Sequence, residues 1–387
     1  MAKYKKRTDG RYISRVPIGK DEDGKTVYKV VLARSVAELE LAITAAKEEA
    51  GAGDFSGATM AEWLAAWLKI KQHEVDTDEI TETTYDSYEE IVRLHLTPSI
   101  GPIALRELTP TNIRSLLKKK ANGGLSGRRV QYIYVVLNMA LTVAENDRTI
   151  LWNPARPVKK PVATKREYFV ITSEQYAAIT QAAKECGLET LTAVAWDSGL
   201  RLGELMGLTW KCIDFKAHTI DVKQTVRRTK ASGIHISPDL KSDSGRRTVP
   251  LSKKAAAALQ IHKKEQAKHR LSFGLKYNSQ FDLVFPQQDG YPQNPDNASS
   301  KWSAMKKKLD LPEGLHFHDI RHTYASTLAE MDVHPKKMQL LLGHSTSEFT
   351  LSTYAHKTEN MFEGIKEKLD ARDSAPTKGG KKVLVKK

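Results

Sequence analysis

The segment HFHDIRHTYAS, residues 316–326, contains three histidines, an aspartate and an arginine within seven positions. Two kinds of site would use such a density: a metal ion held by His318 and His322, or a phosphate held by His318 and Arg321. On a helix, residues three and four apart share one face, so the spacing permits both. The other motifs of the chain decide between them.

A metal site is the less favoured interpretation. Arg321 lies three residues after His318, and its fixed positive charge would repel a cation bound there. Asp319 stands where the familiar zinc-hydrolase helix carries a glutamate, and the spacing suggests no third ligand nearby. A zinc hydrolase, which would lose activity with a chelator, is therefore only a minor alternative.

Two further motifs favour a phosphate. GLRLGEL places Arg201 after a predicted helix break, with Glu204 one turn further on to orient its side chain. Guanidinium groups match phosphate oxygens in a bidentate way. LLGHS places His344 directly after a glycine at a predicted helix end.

A break in the chain after His344 brings Tyr354 into the same argument. Ser345 and Glu348 form a capping box, which predicts that a new helix begins there and carries Tyr354. Ten residues of unbroken helix would separate His344 from Tyr354 by about 15 Å, too far for both to reach one phosphate. We therefore expect a turn over 343–346 that lets the chain fold back.

Residues 1–52 predict a small N-terminal domain. RYISRV and KTVYKVVL are strand-like, KDEDGK between them is turn-forming, and Ser35 with Glu38 predicts a helix over roughly 36–50. Residues 1–35 contain ten basic and four acidic side chains, a net charge of +6. A basic sheet supported by one helix suits a DNA groove, and a solvated cationic face is an equal alternative.

A helical domain is predicted over 57–155, after the glycine-bearing linker GAGDFSG. Apolar residues at helical spacing indicate four helices in a compact bundle, the second of which is expected to stop before Pro98. Thr59 and Glu62 form a capping box at the first helix, and a Gly-Gly pair ends the third. The aromatic side chains of these helices are expected in the core rather than as base-stacking platforms.

The stretch NPARPVKKPVATKRE is rich in proline and in basic residues. It predicts an extended cationic linker over 156–168, typical of a chain that crosses a duplex between two domains. The candidate DNA contacts in this linker are Lys159, Lys160, Lys165 and Arg166.

A mixed α/β domain is predicted over 169–370, with short strands at HTIDV and RRTVPL and helices over 173–186, 252–268, 298–309 and 318–331. The tail, 371–387, is polar and basic and is expected to be unfolded alone, although its VLV would suit a strand on a neighbouring subunit. The predicted fold is multidomain and mainly α, with small β-sheets.

The composition fits a DNA-binding protein and, equally, a soluble protein that is merely basic. The 387 residues have a net charge of +15 and a pI near 9.5, which attracts polyanions. The sequence contains no run of about 18 apolar residues, so no membrane span is predicted. The basic N-terminus lacks the apolar core of a secretory signal. Two cysteines fit a reducing cytoplasm.

The motifs GLRLGEL, HDIRH, LLGHS and STYAH, in this order, resemble the signature of the tyrosine recombinase (phage integrase) family. In outline the whole chain is similar to integrases of phages and conjugative transposons, which implies a three-stranded arm-binding domain, a SAM-like core-binding bundle and a mixed catalytic domain. The resemblance implies a site-specific recombinase of a mobile genetic element that cuts and rejoins DNA through a 3′-phosphotyrosyl intermediate. The phosphotyrosyl bond keeps the energy of the cleaved phosphodiester for the rejoining step, so no metal, ATP or other cofactor is implied.

The resemblance assigns a role to each motif residue. Arg201 and Arg321 would neutralise the charge that develops on the non-bridging oxygens of the phosphate. His318 would hydrogen-bond the phosphate or take the tyrosine proton, and His344 would donate to a phosphate oxygen. Tyr354 would be the nucleophile, and its phenol needs a base or a cationic pocket at neutral pH.

A catalytic lysine and the remaining candidates follow from the same resemblance. Lys241, in LKSDSGRRTVPL, matches the family's lysine that protonates the leaving 5′ oxygen, with Lys230 as the alternative. Tyr324 is the rival nucleophile and is expected to pack in the core. His316 and His322 are expected to be structural.

The implied partners are double-stranded DNA at core and arm attachment sites, a homotetramer on synapsed duplexes, an excisionase and a host DNA-bending protein, with no membrane. The implied location is the cytoplasm of a bacterial host, in association with the nucleoid. Two alternatives are a type IB topoisomerase that swivels one strand and a non-catalytic DNA-binding regulator on the same scaffold. The N-terminal domain counts against the first, and the filled catalytic positions count against the second.

Overall fold

The computed structural model describes residues 4–7, 9–20, 26–49, 57–163, 168–238 and 245–343. The contacts between Cα atoms divide the chain into two units: Met1–Arg166 with Thr229–Ala231, and Glu167–Arg228 with Ser232–Lys387. Several predicted features lie outside the described residues, namely Lys165, Arg166, Lys241, His344, the capping box at Ser345, Tyr354 and the tail 371–387.

The first unit begins with a three-stranded antiparallel sheet in the order β1-β2-β3 and a helix, α1. Their bounds are Lys5–Lys6 (β1), Tyr12–Lys20 (β2), Thr26–Ala33 (β3) and Val36–Glu49 (α1). One face of the sheet buries Val16 and Ala33 together with Leu39 of α1. On the other face Arg15 lies opposite Val30, and both are exposed. Half of the predicted capping box is present: the hydroxyl of Ser35 accepts from the N–H of Glu38 at 3.2 Å, whereas the carboxylate of Glu38 accepts from the N–H of Arg34 instead of that of Ser35.

Four helical rods follow in the first unit, and the second contains a π-helical turn. Their bounds are Met60–Asp76 (α2), Glu82–Ile91 (α3), Val92–Leu96 (the π turn), Thr97–Ile100 (α4), Pro110–Asn122 (α5) and Gly127–Asn146 (α6). The predicted capping box of Thr59 and Glu62 is present at α2. Trp63 and Trp67 are fully buried, which confirms that these aromatic rings belong to the core.

The expectation that the second helix stops before Pro98 is wrong. The chain stays helical to Ile100 through the π turn, in which the N–H of Thr97 donates to the carbonyl of Val92, five residues back. The wider turn moves the preceding carbonyl away from the proline ring. Pro98 then lies in the first turn of α4, where the loss of an N–H costs little.

The structure also differs from the extended linker expected from residue 156. Ala155 and Val158 are buried in the core of the helical bundle. Asn153 is buried as well; its Nδ2 donates to Oδ1 of Asn138 at 3.0 Å and its Oδ1 accepts from the N–H of Ala155 at 2.8 Å. The prolines of this stretch therefore shape a turn on the bundle, and Lys159 is the first exposed residue beyond it.

The second unit is mixed α/β. Its elements are α7 (Ser173–Glu185), α8 (Glu189–Ser198), α9 (Leu202–Met206), β4 (Ile213–Asp214), β5 (Thr219–Val222), β6 (Thr225–Thr229), β7 (Gly233–Ser237), β8 (Arg247–Pro250), α10 (Lys253–Phe273), α11 (Pro295–Lys308), α12 (Asp319–Glu330) and α13 (Pro335–Leu342). β4, β5 and β8 form one antiparallel sheet in that order, and β6 pairs with β7.

The core of the second unit positions the site. The two predicted strands are β5 and β8, with Ile220 opposite Val249, and both side chains are fully buried. Leu205 of α9, Trp302 of α11 and Ile320 of α12 belong to the same apolar core. The candidate arginines at the ends of these elements are therefore fixed to a packed scaffold. Among the described helices, none has both the length and the apolar character that a bilayer crossing requires.

Candidate active site

A left-handed glycine shapes the turn that presents Arg201. Gly199 ends α8, at the helix break that the sequence predicted, with φ +61°, and the chain then enters α9 with Arg201 as its N-cap residue. A Cβ atom on Gly199 would lie 2.3 Å from Cδ1 of Tyr324, so the backbone passes directly against that ring. Glycine is therefore required here both by φ and by space.

Glu204 orients Arg201, as expected. Its carboxylate accepts from the backbone N–H of Arg201 at 2.9 Å and from the Nη1 of the same residue at 2.7 Å. Glu204 is almost fully buried, and it also pairs with Arg247, which donates from Nη2 to Oε2 at 2.8 Å and from Nη1 to Oε1 at 3.2 Å. One buried carboxylate thus holds two guanidinium groups.

The pKa of Glu204 reflects this pairing. Burial alone would raise it, but the hydrogen bonds and the charge of Arg247, together with the charge of Arg201, lower the pKa of Glu204 to about 2. The carboxylate is therefore ionised at any pH at which the protein would work.

Arg247 was not identified from the sequence, although a signal was present. In the predicted strand RRTVPL, side chains alternate between two faces, and Arg247 shares its face with the fully buried Val249. A buried arginine implies a carboxylate partner, since an unpaired charge is costly inside a protein. The identity of that partner, Glu204, depends on tertiary structure.

Arg321 of α12 is buried and lies among the same groups. Its Nη1 donates to the carbonyl of Gly199 at 2.7 Å, and its Nη2 donates to the carbonyl of Leu342 at the end of α13. Burial and the positive charge of Arg201 lower the pKa of Arg321 to about 9. The proximity of two like charges is therefore a property of the site before any ligand binds.

His318 lies at the N-terminus of α12, one turn before Arg321. Its ring meets that of His322 edge-on at 4.9 Å between centroids, and the ring of Tyr168 lies against His322 at 3.9 Å, tilted by 36°. Desolvation of the ring, followed by the charges of His322 and Arg321, lowers the pKa of His318 to about 4. The residue as a whole is nevertheless exposed to solvent, and the lowered pKa keeps its ring neutral at pH 7.

Asp319 and His316, two further residues of the segment 316–326, contact each other in a structural role. Oδ2 of the buried Asp319 accepts from the backbone N–H of His316 at 2.6 Å and so fixes the start of α12. Within the described ranges, no group of three or more His, Cys, Asp or Glu side chains is placed to hold a metal ion.

Tyr324 lies against Gly199, in accord with the expected packing role. Burial, together with the negative charge of Asp197, raises the pKa of Tyr324 to about 12. Lys230, the alternative lysine, belongs to the first unit, where its ammonium group contacts the carboxylate of Glu89. The structure thus brings Arg201, His318 and Arg321 together, and it adds Arg247 and Glu204 to them.

Comparison with known proteins identifies the family. The model of the phage integrase family matches residues 170–361, and that of the phage integrase N-terminal SAM-like domain matches residues 59–121. Together these matches cover well over half of the chain.

Similar proteins extend over most of the chain. A tyrosine recombinase XerC-like protein of Caldanaerobacter subterraneus subsp. tengcongensis is 27% identical over 380 residues, which cover 91% of this chain and 94% of that protein. The ICEBs1 integrase of Bacillus subtilis is 25% identical over 74% of this chain and 77% of its own length. A solved structure of the Tn1549 transposon integrase in complex with a circular intermediate DNA has a TM-score of 0.67 and 21% identity, over 81% of this chain and 99% of that one, and shares the fold. The chain therefore belongs to the phage integrase (tyrosine recombinase) family, and it is a site-specific recombinase of the kind that mobile genetic elements carry.

Proposed function

We propose that this recombinase cleaves one DNA phosphodiester per protomer with a tyrosine nucleophile and passes the strand through a 3′-phosphotyrosyl bond. The observation that carries the proposal is the pair of guanidinium groups of Arg321, which is buried, and Arg201, which is one-third exposed, close to the neutral ring of His318. Two guanidinium groups that are held close enough to repel each other fit an anionic ligand.

The two arginines stabilise charge on the non-bridging oxygens as phosphorus becomes five-coordinate. His318, with its pKa lowered to about 4, is unprotonated at neutral pH and accepts the proton of the attacking phenol. This is one of the two roles considered for the position; the other, donation to the phosphate, is equally open to a neutral imidazole, which has one N–H donor besides its acceptor nitrogen.

The nucleophile of the proposal is Tyr354, with His344 as a donor to the phosphate and Lys241 as the acid for the leaving 5′ oxygen. All three lie outside the described residues, and their support is the order of the motifs. Tyr324 is a poor nucleophile, because its phenol has a pKa raised to about 12 and its ring packs on Gly199.

The partner is double-stranded DNA, which the net charge of +15 favours. Recombination joins two duplexes and cuts four strands, so four protomers assemble and each supplies one tyrosine. We assign arm-site binding to 1–52, core-site binding to 57–155, catalysis to 169–370 and contacts between subunits to 371–387. The crossing between domains is assigned to the part of 156–168 beyond Val158, with Lys159, Lys160, Lys165 and Arg166.

An excisionase and a host DNA-bending protein would set the direction of the reaction. The protein would act in the cytoplasm of a bacterial host, on nucleoid DNA.

The test is to trap the covalent adduct in EDTA on nicked suicide duplexes drawn from the DNA that flanks the gene. Wild type, Tyr354→Phe and the matched control Tyr324→Phe are compared, and the adduct peptide is read by mass spectrometry. We expect an adduct on Tyr354 in wild type and in Tyr324→Phe, and none in Tyr354→Phe.

Three other results would contradict the proposal. Specific DNA binding without an adduct in any of the three proteins would indicate the non-catalytic regulator. Relaxation of supercoiled DNA by isolated protomers would indicate the topoisomerase. An adduct that forms without EDTA and is lost when EDTA is added would indicate metal chemistry.

A further inference from the structure

Three arginine side chains converge on the C-terminal end of α13. The last carbonyls of an α-helix have no partner within the helix and need donors from elsewhere. Here three successive carbonyls each accept from a different guanidinium group: Leu341 from Nε of Arg247 at 2.7 Å, Leu342 from Nη2 of Arg321, and Gly343 from Nη2 of Arg201 at 3.0 Å.

Two of these arginines belong to the proposed phosphate site, and Arg247 does not. Its side chain is 5% exposed, so it has no surface with which to contact DNA. It nevertheless binds both of the groups that control the site, the carboxylate of Glu204 and the end of α13. Arg247 therefore acts on the site through Glu204 and α13 and does not contact the phosphate itself.

The sharing of Glu204 has an electrostatic consequence for Arg201. Oε1 of Glu204 accepts from Arg201 at 2.7 Å and from Arg247 at 3.2 Å, while Oε2 accepts from Arg247 at 2.8 Å. Because Arg247 neutralises this carboxylate, the charge of Arg201 is left for an external anion. Without Arg247, the whole negative charge of Glu204 would fall on Arg201.

We propose that Arg247 is a positioning residue for the covalent step. It neutralises Glu204 so that Arg201 keeps its charge for the phosphate. It also holds the end of α13, from which the chain runs on to His344 and Tyr354. This inference rests on the proposed function, because it concerns the same phosphate.

Packing does not account for a charged side chain here, and the carbonyl of Leu341 needs only a donor. Buried ion pairs are often replaced by apolar side chains with little loss of stability, so packing alone does not call for a charge at this position. The third guanidinium group lies close to two others, and the repulsion among them opposes folding. The charge of Arg247 is therefore explained by its effect on Glu204 and Arg201.

The test measures the single-turnover rate of adduct formation at saturating suicide duplex, together with the affinity for the same DNA. Arg247→Met should slow the covalent step by about 10²-fold, the size of effect expected when reacting groups are displaced by about 1 Å. DNA affinity should stay near that of wild type, because Arg247 is not exposed. The control Lys184→Met removes one charge from an exposed ion pair of the same unit and should retain the wild-type rate.

The double variant Glu204→Gln with Arg247→Met separates the proposed role from a structural one. The glutamine keeps an oxygen for the N–H of Arg201 but has no charge to draw on its guanidinium group. The double variant should therefore react faster than Arg247→Met alone. If the role of Arg247 were only structural, the loss of both groups would make the reaction slower still.

Arg247→Lys provides a second test in case Arg247→Met does not fold. A lysine retains the charge beside Glu204 but cannot reach Glu204 and the carbonyl of Leu341 together, so we expect a rate between those of wild type and Arg247→Met. A wild-type rate in Arg247→Lys or in a folded Arg247→Met would overturn the inference. A wild-type protein that forms no adduct would instead refute the proposed function.

Discussion

Gly199→Ala tests whether the turn between α8 and α9 sets the geometry of the site. Alanine at φ +61° costs about 1 kcal/mol, because its Cβ approaches the following carbonyl oxygen. The new Cβ would also lie 2.3 Å from Cδ1 of Tyr324, in a packed region where overpacking costs about 1–3 kcal/mol. We expect a loss of about 2–4 kcal/mol in the free energy of unfolding.

The same substitution should slow catalysis. The carbonyl of Gly199 accepts from Nη1 of Arg321 at 2.7 Å, so a shift that relieves the clash with Tyr324 also moves the partner of Arg321. A displacement of about 1 Å in a positioning group is worth about 10²-fold in rate. We expect a loss of this size in the single-turnover rate of adduct formation.

Gly187→Ala is the matched control. Gly187 has a similar φ, +69°, but no atom lies within 4 Å of its Cβ position, so alanine there costs only the backbone strain of about 1 kcal/mol. Urea unfolding of the full-length variants and their rates of adduct formation would be compared. If Gly199→Ala matched Gly187→Ala in both measurements, the contact with Tyr324 would have no role in the site.

Two pH experiments test the charges of the site. The pKa of Glu204 is lowered from about 4.5 to about 2, so its contribution to stability, about 3 kcal/mol, should be present above pH 4.5 and lost as the pH falls toward 2. In Glu204→Gln, the midpoint of urea unfolding should therefore change less with pH over that range than it does in wild type. An equal pH dependence in the two proteins would refute the assignment. His322→Asn removes a positive charge that lowers the pKa of His318, so the acid limb of the pH–rate profile for adduct formation should move to higher pH. An acid limb that stays in place would mean that His318 is not the proton acceptor.

Local chemistry explains which parts of the fold were predictable from sequence. The capping box at Thr59 and the helix break before Arg201 depend on a few neighbouring residues, and both are present as expected. Hydrophobic spacing located the four helical rods of the first unit for the same reason. Such features need no knowledge of the rest of the chain.

Features that depend on tertiary packing were not predictable. The turn of the chain onto the helical bundle at Ala155 and Val158 depends on a pocket formed by residues far away in sequence, so the composition of this stretch indicated only a linker. The π turn before Pro98 likewise has no sequence signature of its own. Arg247 could be assigned to a buried strand face, but its pairing with Glu204 arises only when β8 packs beside α9.

The charges of the site indicate how it would favour the transition state over the bound substrate. Among the described residues of the site, Glu204 and Arg247 neutralise each other, which leaves two positive charges, those of Arg201 and Arg321. A phosphodiester carries one negative charge, and attack by a phenolate gives a five-coordinate species with two. A fixed charge of two therefore matches the transition state better than the ground state, and only such differential binding accelerates a reaction. On this argument, the carboxylate of Glu204 and the guanidinium group of Arg247 set the charge of the site as much as the two arginines that would contact the phosphate.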